Sequence, residues 1–155
     1  MLRKPSEIII NGKSLDSILN EHKNSLTFTK IDLSNVDLSN ADLSDTNLKG
    51  INLRCINLSN ADLSNTNLSY ADLRGAILSK TNLKGANLSK ANLIDANLSR
   101  ADLSEANLRG ANLRDANLSK AIVRKADLRG AILIGADLRK TILNETDLSY
   151  TVLGR

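Results

Sequence analysis

ADLSNTNLSYADLRGAILSK, residues 61–80, is four copies of a five-residue pattern written end to end, and the pattern runs from residue 26 to residue 155. These 130 residues divide into 26 copies without an insertion or a deletion. In each copy, here called a pentad, position 1 is usually alanine, position 2 Asp or Asn, and position 3 leucine. Position 3 is leucine from Leu33 to Leu153 except at Val123, and Phe28 holds it one pentad earlier.

A period of five fits neither regular element. Leucines five apart advance by about 140° around an α-helix and form no stripe. In a flat strand an odd step sends successive leucines to opposite faces. A corner once per pentad resolves this conflict: positions 1 and 3 point inward, position 2 points outward, and positions 4 and 5 turn the chain. Glycine at position 5 agrees, because positive φ suits a corner. The sequence therefore predicts a solenoid.

The pattern A(D/N)LSx resembles the pentapeptide repeat family over about five-sixths of the chain. This resemblance implies an all-β solenoid, a right-handed quadrilateral parallel β-helix with four pentads in each coil. Residues 26–155 would then form about 6.5 coils, roughly 31 Å long at the spacing of sheet strands. Residues twenty apart would stack into columns.

Residues 1–25 form a predicted N-terminal capping segment ahead of the repeat domain at 26–155. Ile8, Ile9 and Ile10 favour a short extended piece, and Asn11-Gly12 behind them is a strong turn signal. Ser14 has the right chemistry for the N-cap of a helix over about 15–23. We expect both pieces to cover the open apolar end of the solenoid, as solenoid caps do. His22 is interpreted as a structural residue at the edge of this cap.

The composition points to a soluble, cytoplasmic protein without enzymatic chemistry. The formal net charge is +4, and Cys55 is the single cysteine, which fits a reducing compartment. No apolar run is long enough for a secretory signal or a membrane span. His22 and Cys55 occur once each in different elements, so no catalytic pair is predicted. We expect no metal and no cofactor, because the carboxylates recur at one outward repeat position and phosphate-binding glycine loops are absent.

One predicted column is basic. Two interpretations are open: a solvated corner, or an edge that binds anions such as a nucleic acid backbone, an acidic protein face or a membrane surface. The two tyrosines, Tyr70 and Tyr150, give this column no aromatic interleaving, which weighs against nucleic acid. The basic column comprises Lys80, Arg100, Lys120, Arg139 and Lys140.

A second set of candidate residues breaks the pattern at position 2, where isoleucine or valine replaces Asp or Asn. Four of the five such pentads are among the last seven. In the stacking frame Ile132 and Val152 share a side, and Ile122 and Ile142 share the opposite side. The alternatives are tolerated β-branched residues or a contact surface for a partner or a second copy. The candidate apolar contact surface comprises Ile122, Ile132, Ile134, Ile142 and Val152.

The leading functional hypothesis is a non-enzymatic rigid scaffold for protein–protein interaction with an unidentified partner. A homodimer through an uncapped C-terminal end is a further expectation, because uncovered solenoid edges invite pairing. The resemblance suggests a second hypothesis, a DNA mimic that binds type II topoisomerase and protects it from quinolones. The net positive charge opposes that mimicry. Polyanion binding through the basic column is the third hypothesis.

Overall fold

A computed structural model of the chain describes the backbone of residues 1–24 and 31–154, and the side chains of residues 1–21 and 31–154. Three predictions fall outside these ranges. They are the domain boundary between residues 25 and 26, the role of the His22 side chain, and the place of Phe28 in the first pentad.

The N-terminal segment is a small hairpin followed by a helix. After a 3-10 turn at Pro5–Glu7, strand β1 at Ile9–Ile10 pairs antiparallel with strand β2 at Lys13–Ser14. Asn11 and Gly12 connect the strands with φ of 50° and 81°, and positive φ at both residues is typical of a two-residue hairpin turn. Helix α1 spans Leu15–Asn24, where the sequence predicts a helix over about 15–23. The Ser14 hydroxyl accepts the N–H of Ser17 at 3.2 Å.

This segment shares its core with the repeats. Ile8 and Leu15 are buried in the same hydrophobic cluster as the repeat leucines, and Leu19 packs against that cluster. Arg3 also extends the first coil as a short parallel bridge to Ala41. The N–H of Arg3 donates to the Asn40 carbonyl at 2.6 Å.

Residues 31–154 are joined by parallel bridges between residues twenty apart. The bridges run from Asp32↔Asn52 to Ile132↔Val152, and every one of them lies at position 2 of a pentad. Each twenty residues contribute four bridges, so each coil has four sides. We number the sides by their pentads: side 1 begins with 31–35, side 2 with 36–40, side 3 with 41–45 and side 4 with 46–50.

Backbone hydrogen bonds follow the same spacing. The N–H of Leu63 at position 3 donates to the Asn82 carbonyl of the next coil at 2.8 Å. The N–H of Asp62 at position 2 donates to the Ala41 carbonyl of the previous coil at 2.9 Å. The N–H of Thr66 at position 1 closes the corner on the Leu63 carbonyl at 3.2 Å. Each coil is therefore tied to both of its neighbours.

Every pentad from 31–35 to 146–150 ends in a residue with positive φ. The sequence predicts this at the glycines, and Gly135 indeed has φ of 73°. The structure extends the rule to side chains that rarely adopt such φ, including Tyr70 at 61° and Arg100 at 61°. The corner geometry thus holds whatever residue occupies position 5.

Position 2 has a role that the sequence interpretation missed. The bonds above leave the N–H of position 4 without a backbone acceptor, and a side-chain oxygen at position 2 accepts it. Asp32 accepts the N–H of Ser34 at 2.9 Å, and every Asp or Asn at position 2 through Asp147 does the same. This is the local bond by which Asp and Asn stabilise turns.

The core consists of positions 1 and 3. Alanines and leucines from Ala41 to Leu133 at these positions are buried, as the sequence predicts. Threonine fits at position 1 because its hydroxyl finds a carbonyl: Thr66 donates to Leu43 at 2.7 Å and Thr81 to Leu58 at 2.8 Å. In the described residues, no buried side-chain nitrogen or oxygen lacks a hydrogen-bond partner.

Candidate functional site

The basic column lies along side 2. Lys80, Arg100, Lys120 and Lys140 all occupy position 5, in four successive coils about 4.8 Å apart. Within residues 31–154, none of the four lies within ion-pair distance of a carboxylate. The structure therefore brings these predicted residues together with their charges uncompensated by ion pairs.

Arg139 differs from the rest of the basic column. Its Nε donates to Asp137 Oδ1 at 2.9 Å and its Nη2 to Oδ2 at 2.8 Å. This side-chain hydrogen bond, helped by the Arg139 N–H, lowers the pKa of Asp137 to about 2. Arg139 still lines an open groove of about 280 Å³ with Ser119, Lys120 and Lys140. The charge of Arg139 is thus compensated by the carboxylate of Asp137 in the same pentad.

The apolar candidates form two separate pairs. Ile122 bridges Ile142 on side 3, and Ile132 bridges Val152 on side 1 with Ile134 beside them. One side of the solenoid separates the pairs, so the five residues do not make one continuous patch. Ile142 is 39% exposed and Val152 is 47% exposed, whereas Ile122 and Ile132 are half-buried.

These pairs lack the hydrogen bond that position 2 otherwise supplies. Isoleucine and valine have no acceptor, so the N–H groups of Arg124, Ile134 and Asn144 lose the side-chain partner that their counterparts in other pentads have. Because a backbone hydrogen bond contributes about 1 kcal/mol, each such pentad gives up some local stability. Folding alone does not require isoleucine at these positions.

Side 4 carries a second basic edge that the sequence interpretation missed. Tyr70 and Tyr150 both occupy position 5 of side 4, eighty residues and therefore four coils apart. The Lys49 and Lys90 ammonium nitrogens lie 5.8 Å and 5.3 Å from the centroid of the Tyr70 ring. We call this the tyrosine edge; it comprises Lys49, Tyr70, Lys90, Arg109, Arg129 and Tyr150.

Two glycines open a groove in the tyrosine edge. Gly110 and Gly130 hold position 5 in successive coils and contribute no side chain, which leaves an open groove of about 510 Å³. Lys90, Arg109 and Arg129 line this groove. Arg129 is paired with Asp127 at 2.5 Å and with Asp147 at 3.5 Å. The described residues place no carboxylate within ion-pair distance of Lys90 or Arg109.

Sides 1 and 3 have fewer cations without an ion pair in the described residues, namely Arg54, Arg114 and Arg124. On side 3, Lys84 lies 3.7 Å from Glu105, and Lys125 lies 3.9 Å from Glu145. On side 1, Arg74 Nη2 donates to Asp72 Oδ2 at 2.6 Å, and this side-chain hydrogen bond lowers the pKa of Asp72. Uncompensated cations are therefore concentrated on sides 2 and 4.

The single cysteine, the single histidine and the absence of a predicted membrane span are the remaining sequence-based expectations. Cys55 is exposed at a corner of side 1, and the His22 side chain is outside the described ranges. In the parts of the chain that the structure describes, no helix is both long and apolar enough to cross a bilayer.

A family model described as pentapeptide repeats matches residues 26–54, 56–93, 96–133 and 124–153 of the chain. This confirms the predicted resemblance. No curated protein sequence matches the chain.

Solved structures that match include pentapeptide repeat proteins. Rfr23 from the cyanobacterium Cyanothece 51142 is 30% identical, covers 90% of this chain and 99% of its own, and superposes with a TM-score of 0.42. HetL, involved in heterocyst differentiation regulation in Nostoc sp. strain PCC 7120, is 28% identical over 94% of this chain and 97% of its own, with a TM-score of 0.36. The plasmid-mediated fluoroquinolone resistance protein QnrB1 is 23% identical over 79% of this chain and 75% of its own, with a TM-score of 0.37.

Proposed function

The chain belongs to the pentapeptide repeat family, and we propose that it is a rigid, non-enzymatic scaffold that binds a protein partner through the sides of its solenoid. Proteins of this family form right-handed quadrilateral β-helices. The proposal gives this chain the same hand and about 6.5 coils at residues 26–155, with residues 1–25 as the cap. A cytoplasmic location and a homodimer remain predictions.

The isoleucine pairs are the observation that carries the proposal. At Ile122, Ile132, Ile142 and Val152 the chain replaces a residue that satisfies a backbone amide by one that does not. The replacement stacks two β-branched side chains within each pair, and Ile142 and Val152 are the exposed members of their pairs. Apolar side chains clustered on a surface are typical of protein contacts.

The test restores the repeat pattern and separates binding from stability. In Ile122→Asn/Ile142→Asn and Ile132→Asn/Val152→Asn, the amide at position 4 regains its acceptor, so we expect unfolding free energy to be unchanged or higher. Proteins captured from native extract by the wild-type chain should be lost on one or both variants. Ile77→Asn is the matched control, because Ile77 lies alone on side 2 between Asn57 and Asn97. Equal capture by all variants would refute the proposal, as would loss of stability in the two double variants.

Polyanion binding through the basic column is the second candidate, and it is supported by the unpaired Lys80, Arg100, Lys120 and Lys140 on side 2. Salt-dependent retention on heparin, lost in Lys120→Gln/Lys140→Gln, would favour it over a protein partner. Topoisomerase binding by DNA mimicry has no support in the charge of this chain, which is +4. If the chain does not inhibit DNA supercoiling by gyrase, the topoisomerase hypothesis is excluded.

A further inference from the structure

Tyr70 and Tyr150 give the tyrosine edge two aromatic rings. The four coils between them correspond to about 19 Å along the solenoid axis. Tyr150 is 89% exposed, and no cation of the described residues lies over its ring. Tyr70 is 54% exposed, with an ammonium group near its ring from the coil on either side.

Tyr70 therefore holds two cations on the edge without neutralising them. A cation–π contact attracts an ammonium group to the ring but leaves its formal charge. Lys49 and Lys90 are held in this way, and Arg109 follows one coil after Lys90 with its guanidinium free of ion pairs in the described residues. Arg129 is not counted among the free cations, because Asp127 and Asp147 compensate it.

The groove at Gly110 and Gly130 lies between these cations and Tyr150. A concave surface lined by one sign of charge concentrates the electrostatic potential. Its volume of about 510 Å³ leaves room for a sugar–phosphate unit beside Lys90 and Arg109. Cations, a groove and an exposed ring thus follow one another along a single line.

We propose that the tyrosine edge binds single-stranded nucleic acid. Lys49, Lys90 and Arg109 contact successive phosphates, the backbone crosses the glycine groove, and one base stacks on Tyr150. Stacking platforms combined with a cationic groove are the usual means of holding single strands without sequence preference. Only an unpaired base offers a face to a side-chain ring, so the edge favours a single strand over a duplex.

An acidic peptide is the alternative that shares the cations. It would use Lys49, Lys90 and Arg109 equally well but gives Tyr150 no role. The basic column on side 2 would attract either polyanion, yet its positions carry no aromatic residue. The location of both tyrosines is therefore the observation that favours a nucleic acid strand on side 4.

Fluorescence anisotropy with a labelled oligothymidylate of about twelve nucleotides tests the proposal, since single-strand sites span about 4–16 nucleotides. For three phosphate contacts the logarithm of the association constant should fall with the logarithm of salt concentration with a slope of about −2. In Lys90→Gln/Arg109→Gln the slope should shrink to about −0.7. Lys84→Gln/Lys125→Gln on side 3 is the control, because it removes the same charge outside both basic edges and should bind as the wild type does. Lys120→Gln/Lys140→Gln measures the share of binding that belongs to the basic column, and it should lose less affinity than Lys90→Gln/Arg109→Gln.

Two variants of Tyr150 test the stacking step. Tyr150→Ala should weaken binding by about fivefold or more, whereas Tyr150→Phe keeps the ring and should bind normally. Tyr150 lies on the surface, so thermal unfolding of the two variants should match the wild type.

Four outcomes would overturn the proposal. Equal loss in all three double variants would indicate attraction by net charge alone, and a loss in Lys120→Gln/Lys140→Gln at least as large as that in Lys90→Gln/Arg109→Gln would move the site to the basic column. Normal binding by Tyr150→Ala, together with equal competition by polyglutamate, would indicate an acidic protein ligand. Absence of binding at low salt would exclude the site altogether.

Discussion

Ser64 donates two hydrogen bonds to the same oxygen of Asp62, from its backbone N–H at 2.9 Å and from its hydroxyl at 2.7 Å. Asn82, one coil later, donates a third to that oxygen from Nδ2 at 3.0 Å. One carboxylate oxygen thus secures the corner of its own pentad and a side-chain bond to the next coil. The same residue also carries the parallel bridges to Asp42 and Asn82.

Replacing Asp62 by alanine should lower the unfolding free energy by about 1–2 kcal/mol, because the Ser64 amide and hydroxyl lose their acceptor in a half-buried site. Asp62→Asn keeps a side-chain oxygen and should cost less than half as much. Urea denaturation of the two variants measures the difference. Equal destabilisation by both would show that charge, rather than the acceptor, matters at position 2.

The reverse change should stabilise the protein. Ile77 is 42% exposed on side 2, and asparagine there would supply the missing acceptor for the Ser79 amide. We expect Ile77→Asn to raise the unfolding free energy by about 0.5–1 kcal/mol. Ile77→Ala serves as the control, because it removes the apolar side chain without adding an acceptor. If alanine stabilises as much as asparagine, the hydrogen bond is not the cause.

Gly135 should tolerate a side chain less well than Gly130. Both have positive φ, of 73° and 67°, so alanine is strained at either position by about 1 kcal/mol. A Cβ at residue 135 would also collide with the Asp115 carboxylate of the previous coil, whereas one at residue 130 meets nothing within 4 Å. Thermal denaturation should place Gly135→Ala below Gly130→Ala, and equal melting temperatures would contradict the collision.

The Asp137–Arg139 pair should stabilise the fold down to low pH. The pKa of Asp137 in the folded protein, about 2, lies below the ordinary value of 3.8. The contribution of the pair to folding stability is therefore complete above about pH 4 and is lost as pH falls through about 2. In Arg139→Gln the pKa of Asp137 should rise toward 3.8 while staying below it, because the N–H of residue 139 still donates. Carbon-detected NMR titration of the Asp137 carboxyl measures this shift.

Lys140→Gln is the control for that titration, since it removes a neighbouring charge but no hydrogen bond to Asp137. A Lys140→Gln shift as large as that of Arg139→Gln would mean that distant charge, rather than the hydrogen bond, sets the pKa.

The sequence predicts the inward residues because burial follows directly from the period. Leu83 and Ala86 are buried for the reason that forces a corner into every pentad, and no knowledge of side-chain conformation is needed. Stacking at twenty residues came from the family resemblance, and the bridges from Asp32 to Val152 have that spacing.

The hydrogen bond at position 2 was within reach of the sequence but was missed. Asp or Asn two residues before an amide in a turn is a known local signal, and it recurs in almost every pentad. The sequence analysis assigns Asp62 and its equivalents only an outward direction, whereas their side-chain oxygen accepts a hydrogen bond from position 4 of the same pentad.

Only part of the tyrosine edge can be predicted from residue numbers. Tyr70 and Tyr150 differ by eighty, a multiple of twenty, so their common column follows from numbering alone once the coil is known. The placement of the Lys49 and Lys90 ammonium groups near the Tyr70 ring does not follow. It depends on side-chain rotamers.

The length of insertion that preserves the fold differs from the length that preserves the surface columns. Because every pentad is a complete side, adding five residues keeps each later leucine in the core. It also moves every later column to the neighbouring side, which would separate Tyr150 from Tyr70 and Ile142 from Ile122. Only an insertion of twenty residues, one full coil, keeps the columns aligned. Evolution can therefore lengthen this protein in small steps, but it can conserve a binding surface across the change only in whole coils.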